Sequence, residues 1–429
     1  METALIRPGP IQGDAVHPLI RRRQGKEEVS YPHPDLKPVL ERSYGTVLYQ
    51  EQGMRCAMVI AGFTAGEADL LRRAMGSKRS VAAMAGLKER FVEGGRSRGY
   101  ADAVIERVWE MIQGFALYGF PESHAIAFAF LIAVSGYLKH YYPAPFLCAL
   151  LNSQPMGFYS PAMLIADAER HRVIVLPPDI NRSGYDHRME RTEDGTWAVR
   201  LGFRLVAGVG AKEKVRIEAE SQREPFAELH DVVRRLPLDR DVLTNLAAVG
   251  ALTSLGLARR EAMWAVGAVD GREDLLPDAS PDIPALPPLT AEEEVRLDYA
   301  LMGCAPGKRH LMTFYRALMA EWSVVSAKEL DAVPHGATVK VGGVVAVRQR
   351  PGTANGVAFF TLADETGTIN VVVMPDVFQR ERQTLRLASL LAIAGTVERV
   401  DGVTHVRARR VRAFGQDREA SVLLSKQFA

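Results

Sequence analysis

Cysteine is scarce in this chain of 429 residues: Cys56, Cys148 and Cys304 stand far apart, with no C-x-x-C pair and no histidine at ligand spacing. That excludes a disulfide framework and a zinc site, and it fits a reducing cytoplasm. Net charge is scarce too. Lys and Arg total 53 against 51 Asp and Glu, for a formal charge of +2, so no global field draws in a polyanion. Any nucleic-acid contact has to come from local basic patches. The longest apolar run, Ala125 to Val134, is far short of the roughly 20 residues needed to span a bilayer. The opening METALIRPGPIQGD has no basic-then-apolar leader, so nothing in it directs the chain to a membrane or out of the cytoplasm. A pair of aspartates on a strand is also missing. The acidic neighbours Glu193 and Asp194, and Asp364 and Glu365, fall in predicted turns, where capping or solvation is their expected role.

What is present is enough for several cores. At 47% apolar and 24% charged, a chain of this length accommodates two to four domains. The pattern predicts a multidomain, mainly α protein with a C-terminal β-barrel of the OB type. Residues 1–167 read as one helical region: Val47 to Ile60 and Ala101 to Phe115 carry apolar residues at three-to-four spacing, interrupted by Gly62, Gly66, Gly94 and Gly95. Residues 168–270 form a second region. There, Glu193, Asp194 and Gly195 make a hairpin turn between short strands. A short apolar helix from Leu201, the turn Gly208-Val209-Gly210 and a charged helix with Val215 and Ile217 then read as a helix-hairpin-helix. A second helical pair, Asp239 to Ala268, stops at Gly250 and Gly256.

Residues 271–290, with Pro277, Pro281, Pro284, Pro287 and Pro288, are a proline-rich linker. Residues 291–333 are a helical connector, and 334–429 the barrel and tail. Within the last region, Ala337 to Arg348, Gly356 to Leu362 and Thr368 to Val373 are predicted strands. A helix over Val377 to Leu387 and strands over Leu390 to Val397 and His405 to Val411 complete an OB-fold.

One stretch carries more information than the rest. Phe115 to Pro143, FALYGFPESHAIAFAFLIAVSGYLKHYYP, sets an aromatic turn and a histidine directly before a long apolar helix. Tyr118, Gly119, Phe120 and Pro121 cannot be helix interior, so Ser123 is the predicted cap, with His124 in the first turn. Free N–H groups at a helix start attract anions; alone, such a turn is also ordinary packing. Around it stand RPGPIQGDAVHP at 7–18, LYQEQGMRCAMVIAGFTAGEADLLRRAMG at 48–76 and LPPDINRS at 176–183. In this order and spacing the four elements resemble the fingers region of bacterial C-family DNA polymerases, the DnaE-type alpha subunits of DNA polymerase III and their error-prone relatives. The resemblance runs in register through nearly the whole chain.

The resemblance implies a function and a set of residues. Residues 1–167 become polymerase fingers, and Arg72, Arg73, Tyr118 and His124 an incoming-nucleotide site, with Arg7 a weaker candidate for phosphate or template. Guanidinium forks suit a triphosphate; local sequence alone favours a solvated basic pair, a core tyrosine and a satisfied histidine. The metal-binding aspartates of the family lie in a palm upstream of Arg7, so Mg²⁺ is expected for the complete enzyme, none on this chain alone, and the chain looks like a C-terminal portion that is inert by itself. Independently of family, Gly208 and Gly210 let backbone approach a DNA phosphate, with Lys212 and Lys214 adding charge. On the barrel, Arg348, Arg350 and Phe359 combine cations and an aromatic for a single strand, and Arg407 and Arg409 extend the groove or simply solvate an edge.

Three features favour the error-prone, translesion branch: IQGDAVHP, Glu122 in FPESH where replicative relatives commonly carry Lys, and a stop shortly after the barrel. The ending SKQFA and MGCAPGKRHLM depart from that branch's usual pattern. Primer-template DNA, single-stranded template and dNTP are the implied partners, together with an inactive Y-family-like polymerase, a RecA-like accessory protein and, indirectly, the sliding clamp. A noncatalytic DNA-binding accessory built from the same modules, or a truncated replicative alpha subunit, remains the alternative.

Overall fold

The computed structural model describes residues 16–75, 81–116, 120–157, 159–220, 223–268, 285–307, 309–352, 354–400 and 402–415. They divide into two compact units, Met1–Tyr137 and Leu138–Ala429. The first is helical, with Val16–Arg23, Gln50–Ala61, Ala65–Met75, Val81–Ser97, Asp102–Ala116 and all but the last turn of Glu122–Tyr141 as its long elements. The three-to-four spacing closes the helices between Gln50 and Ala116 on a core of Leu36, Leu40, Ile60, Leu71, Phe91, Ile105, Trp109 and Ile112, whereas Leu19 and Ala125 pack in a smaller cluster with Leu48 and Tyr49. Gly62 ends its helix in the left-handed conformation, φ +64°, as expected. Gly66, Gly94 and Gly95 do not interrupt anything; they lie inside helices. A Cβ on Gly94 would sit 2.1 Å from the Ala61 carbonyl oxygen, and one on Gly95 2.8 Å from the Ile105 side chain. These two glycines give up helix propensity so that neighbouring helices can touch.

In the second unit, helices Pro143–Asn152 and Pro161–Arg170 lead into a three-stranded sheet of β1 (Ile174–Leu176), β2 (Arg188–Arg191) and β3 (Trp197–Arg200). Its order is β1-β3-β2, with β1 parallel and β2 antiparallel to β3. The predicted β2–β3 turn is present: Asp194 accepts from Thr192 and from the Thr196 N–H, and Gly195 takes φ +83°. The helix expected from Leu201 is only a 3₁₀ turn, Phe203–Leu205. The Phe203 and Arg204 N–H groups are bonded to the Gly184 and Tyr185 carbonyls instead. A Cβ on Gly202 would meet that loop's backbone at 2.4 Å. Val206 leaves helical geometry at φ −77°, ψ 128°, so the turn ends on the 3₁₀ bond from the Val206 N–H to the Phe203 carbonyl.

Helices Ala211–Glu220, Leu229–Arg235, Arg240–Ala248 and Arg259–Ala268 follow, with Gly250 and Gly256 as left-handed stops. Most of the predicted linker, residues 269–284, lies outside the described residues. Beyond it, Thr290 and Glu293 form a capping box that starts helix Ala291–Met302. This helix is shared. Met302 belongs to the core of the hairpin region, whereas Val295 joins Met312, Met319, Val344, Leu390 and Phe414 beside the barrel. Arg259 fixes it in place through a buried ion pair with Asp298, 2.7 Å long, the two side chains being 9% and 1% exposed.

The barrel is closed, with strands β4 (Thr338–Gln349), β5 (Ala358–Ala363), β6 (Thr368–Val373), β7 (Leu390–Val400) and β8 (Val403–Ala413) in the order β4-β5-β6-β8-β7. The chain is therefore mainly helical at first and ends in an OB-type barrel, as read from the pattern. Two short helices, Pro375–Arg380 and Arg382–Leu387, replace the single predicted one, broken where Glu381 leaves helical geometry. Gly395 sits at a β7–β8 bulge, where a Cβ would lie 2.3 Å from the Arg407 carbonyl oxygen.

His187, just before β2, is almost fully buried. Its Nδ1 accepts from the Gly202 N–H at 3.0 Å, and among the described residues its Nε2 has no hydrogen-bond partner. Burial pulls its pKa down to about 4, so the folded state holds it neutral while the unfolded state protonates near 6.5. Stability from this group is therefore present above pH 6.5 and lost as pH falls towards 4, by up to about 3 kcal/mol. Denaturant titration of the chain across that window should show the fall, and His187→Asn should flatten it.

Candidate nucleic-acid interface

Arg72 and Arg73 occupy the last turn of helix Ala65–Met75, where the helix dipole favours cations. Both are exposed, and both grip Asp69: Arg72 Nε donates at 2.9 Å, and an Arg73 terminal nitrogen lies 2.9 Å from the other carboxylate oxygen. The hydrogen bond from Arg72, then the charge of both arginines, holds the Asp69 carboxyl below its ordinary range. Two guanidinium forks are thus held side by side around one anionic group. That geometry suits the oxygens of a phosphate.

His124 is exposed in the first turn of Glu122–Tyr141, between the rings of Phe120 at 5.3 Å and Phe128 at 4.5 Å. The expected Ser123 cap is not used. Glu51 reaches across from another helix and accepts from the Glu122 N–H at 2.9 Å, so the helix starts two residues earlier than the local signal indicates. Glu122 itself faces Arg42 at 3.5 Å. Among the described residues no hydrogen bond or ring contact joins the arginine pair to His124. Tyr118 and Arg7 lie outside the described residues.

In the hairpin turn, Gly208 takes φ +87°, a conformation only glycine adopts freely. The Gly210 N–H is engaged, donating to Glu213 at 2.7 Å; it caps the following helix rather than waiting for a phosphate. Lys214 is exposed and pairs with Asp186 at 3.1 Å, over the Tyr185 ring at 5.0 Å. Lys212 remains exposed. Of the four predicted residues here, Gly210 is committed to the fold through its N–H, and Lys214 shares its charge with Asp186 at the surface.

The barrel gives the most ordered arrangement. Registers place Gln349, Phe359, Val372, Arg407 and Thr396 opposite one another on β4, β5, β6, β8 and β7. They form one transverse row. Alternation turns Phe359 outward, 38% exposed, and Phe360 into the core at 3%. Arg407 is exposed and lies 3.2 Å from Glu398, which also meets His405 at 2.9 Å. Arg409 is exposed and is the extra residue of the β7–β8 bulge. Arg350, beside the row, stacks over Phe378 at 4.5 Å.

Arg348 does not belong to this surface. It is buried, donates to the Leu385 carbonyl at 3.2 Å and to that of Ala388, and desolvation brings its pKa down to about 10. It ties β4 to the end of helix Arg382–Leu387. An Arg on a strand reads as outward-facing until the helix that supplies its acceptors is placed. Val372, Thr396 and Gln349 were missed for the opposite reason: they carry no chemical signature, and only barrel closure brings them beside Phe359 and Arg407.

Among the described residues no group of three or more His, Cys, Asp or Glu is placed to hold a metal. Asp364 is buried, and its oxygens accept from Thr366, Gly367, Ala327 and Arg316. The described residues do not fit the paired magnesium site of a polymerase.

Three family models match the chain: the bacterial DNA polymerase III alpha subunit finger domain over residues 1–99, a helix-hairpin-helix motif over 172–262 and an OB-fold nucleic-acid-binding domain over 339–413. The chain is 42% identical to the error-prone DNA polymerase of Methylococcus capsulatus and 44% identical to that of Alkalilimnicola ehrlichii, each across 100% of this chain and 43% and 42% of the relative. The Pseudomonas aeruginosa error-prone DNA polymerase is 42% identical over 96% of this chain and 40% of its own length. The chain thus spans about two-fifths of the length of these relatives. Among solved structures, an asparaginyl-tRNA synthetase from Pyrococcus horikoshii matches 21% of this chain and 22% of its own, at 22% identity and a TM-score of 0.18.

Phe359→Ala should weaken binding of a single-stranded oligonucleotide by about 1–3 kcal/mol, the usual worth of a stacked base. Arg348→Gln should lower the melting temperature while leaving the salt dependence of binding unchanged. A steeper loss of binding for Arg348→Gln than for Phe359→Ala, in fluorescence anisotropy, would reverse the two assignments.

Proposed function

From a chain that carries the finger, helix-hairpin-helix and OB-fold modules of the DnaE-type, error-prone branch of bacterial C-family DNA polymerases, we propose a division of labour. These modules hold the incoming nucleotide, the primer-template duplex and the single-stranded template, while nucleotidyl transfer to the primer 3′ end depends on a metal-holding palm among residues other than these. The observation that carries the reading is the end-to-end match, at 42–44% identity, between the three modules in this order and error-prone DNA polymerases.

In this reading Arg72 and Arg73 release Asp69 and close on the triphosphate. His124, at a helix start, donates to a phosphate oxygen. Tyr118 lines the nucleotide sugar and base, and Arg7 reaches phosphate or template. Around the hairpin turn, Gly208 and Lys212 position duplex through its backbone. The barrel row stacks template bases on Phe359 and follows their phosphates with Arg407, Arg409 and Arg350. Mg²⁺ serves the complete enzyme and is not held by these residues. The setting is translesion synthesis after DNA damage in the cytoplasm, with an inactive Y-family-like polymerase and a RecA-like protein as partners and the sliding clamp reached through them. That setting rests on the relatives' names and on the IQGDAVHP and FPESH elements.

The helix-hairpin-helix and OB-fold matches over 172–262 and 339–413 also suit a second reading: a noncatalytic DNA-binding accessory made of the same modules. Adding a palm-containing fragment of a relative separates the two. Restored primer extension supports the first, and DNA binding without rescue the second. In a complete polymerase, Arg72→Ala should raise the KM for dNTP about tenfold or more, the loss of a charge-assisted hydrogen bond, with primer-template affinity unchanged. Parallel loss of both would remove Arg72 from the nucleotide site.

A further inference from the structure

Helix Glu122–Tyr141 is twenty residues long, about 30 Å, and only its first turn is packed. There Ala125 joins Leu19, Leu48 and Tyr49, and Glu51 takes the Glu122 N–H. Every residue from 126 to 137 is exposed, with Ile126, Phe130, Leu131, Ile132 and Tyr137 at 56–69%. No Asp, Glu, Lys or Arg occurs between Glu122 and Lys139. Phe130, Leu131 and Ile132 are consecutive, and at 3.6 residues per turn they point to different sides of the helix. A helix that is apolar on all sides belongs inside a core or a membrane. Among the described residues, no helix is long and apolar enough to cross a membrane. A protein core is what remains.

Two observations choose the occupant. The first is His124, in the first turn of this same helix. On the reading above it donates to the triphosphate, and groups that act on one triphosphate have to converge on it closely. The portion that completes the site therefore comes up to the start of this helix, and the uncovered length runs on from there. The second is bulk. The error-prone relatives carry about three-fifths of their length outside the match, ample to enclose a rod of this size from several sides. A second copy, meeting it across a two-fold axis, would cover one side and leave the others wet.

We propose that residues 126–137 are the seat on which the palm-bearing portion of the polymerase packs, with the nucleotide site at the head of the helix it encloses. This seat rests on the division of labour above and supplies the surface through which the two portions meet. The test uses the whole chain, alone and joined in one polypeptide to the part of the Methylococcus capsulatus enzyme that lies outside the match. The native cysteines are buried, so Phe130→Cys adds one reactive thiol, as does Val403→Cys at an exposed control position on the barrel. Phe130→Cys should react readily with a maleimide in the chain alone and about tenfold or more slowly in the joined enzyme, whereas Val403→Cys should react alike in both. Equal labelling of Phe130→Cys in the two settings would overturn the seat. So would slow labelling in the chain alone: slowing that grows with protein concentration assigns the face to a second copy, and slowing at every concentration assigns it to this chain's own residues. A second measurement needs no joined enzyme. Phe130→Glu with Ile132→Glu should leave the melting temperature of the chain alone within about 2 °C, as for exposed positions; a fall of several degrees would show the face to be covered already and overturn the seat. Primer extension by the joined enzyme reads the division of labour separately, so a failure of one is told apart from a failure of the other.

Discussion

The buried contact between Arg259 and Asp298 organises the second unit. Taking two charges out of water costs several kcal/mol per ion, recovered only when geometry and further hydrogen bonds are good. Here they are: the guanidinium also donates to the Ala248 carbonyl at 3.0 Å, and Gly250 makes room for it, since a Cβ there would approach Arg259 to 2.8 Å. The pair is specific in a way apolar packing is not, because a one-turn slip of helix Ala291–Met302 would leave both charges buried and alone. That helix supplies side chains to the hairpin core at one end and to the barrel-side core at the other. The barrel is therefore tied to the hairpin region through this helix, which is held across the proline-rich segment by the buried Arg259–Asp298 pair and by the Arg260–Glu293 pair at 3.2 Å.

Charge is arranged locally and in balance. Asp69 sits between Arg72 and Arg73, Asp186 between Lys214 and Arg204, and Glu398 between Arg407 and His405. In each of these three places the cations carry their own carboxylate. This explains how a chain with nucleic-acid-binding modules has a formal charge of only +2. It also shapes energetics: a phosphate arriving at such a group displaces a resident anion instead of filling an empty field, so the net gain is smaller than the number of cations suggests.

Most of the architecture was legible in the pattern because its signals are local. Helix periods, the Asp194 turn, the left-handed stops at Gly62, Gly250 and Gly256, and the five barrel strands follow from residues within a few positions of one another. What was not legible depended on distant partners. Gly94 and Gly95 look like breakers until the facing Ala61 and Ile105 are known. Ser123 looks like a cap until Glu51 takes the role from 71 residues away. Arg348 looks like a surface cation until helix Arg382–Leu387 offers its carbonyls. Alternation, a local rule, turns only one of Phe359 and Phe360 outward; that it is Phe359, with Val372 and Arg407 beside it, is set by barrel closure.

That closure is uneven. Strands β7 and β8 share ten registered pairs, whereas β6 and β8 meet through two, Val371 with Val406 and Val372 with Arg407. The outer row crosses the barrel at its thinnest seam. In the binding mode proposed above, a polynucleotide along the row bridges both sides of that seam, so occupancy and integrity are linked thermodynamically: whatever affinity the closed barrel has over the opened one is returned as resistance to opening. On that mode the cylinder is least secure when idle and most secure when loaded.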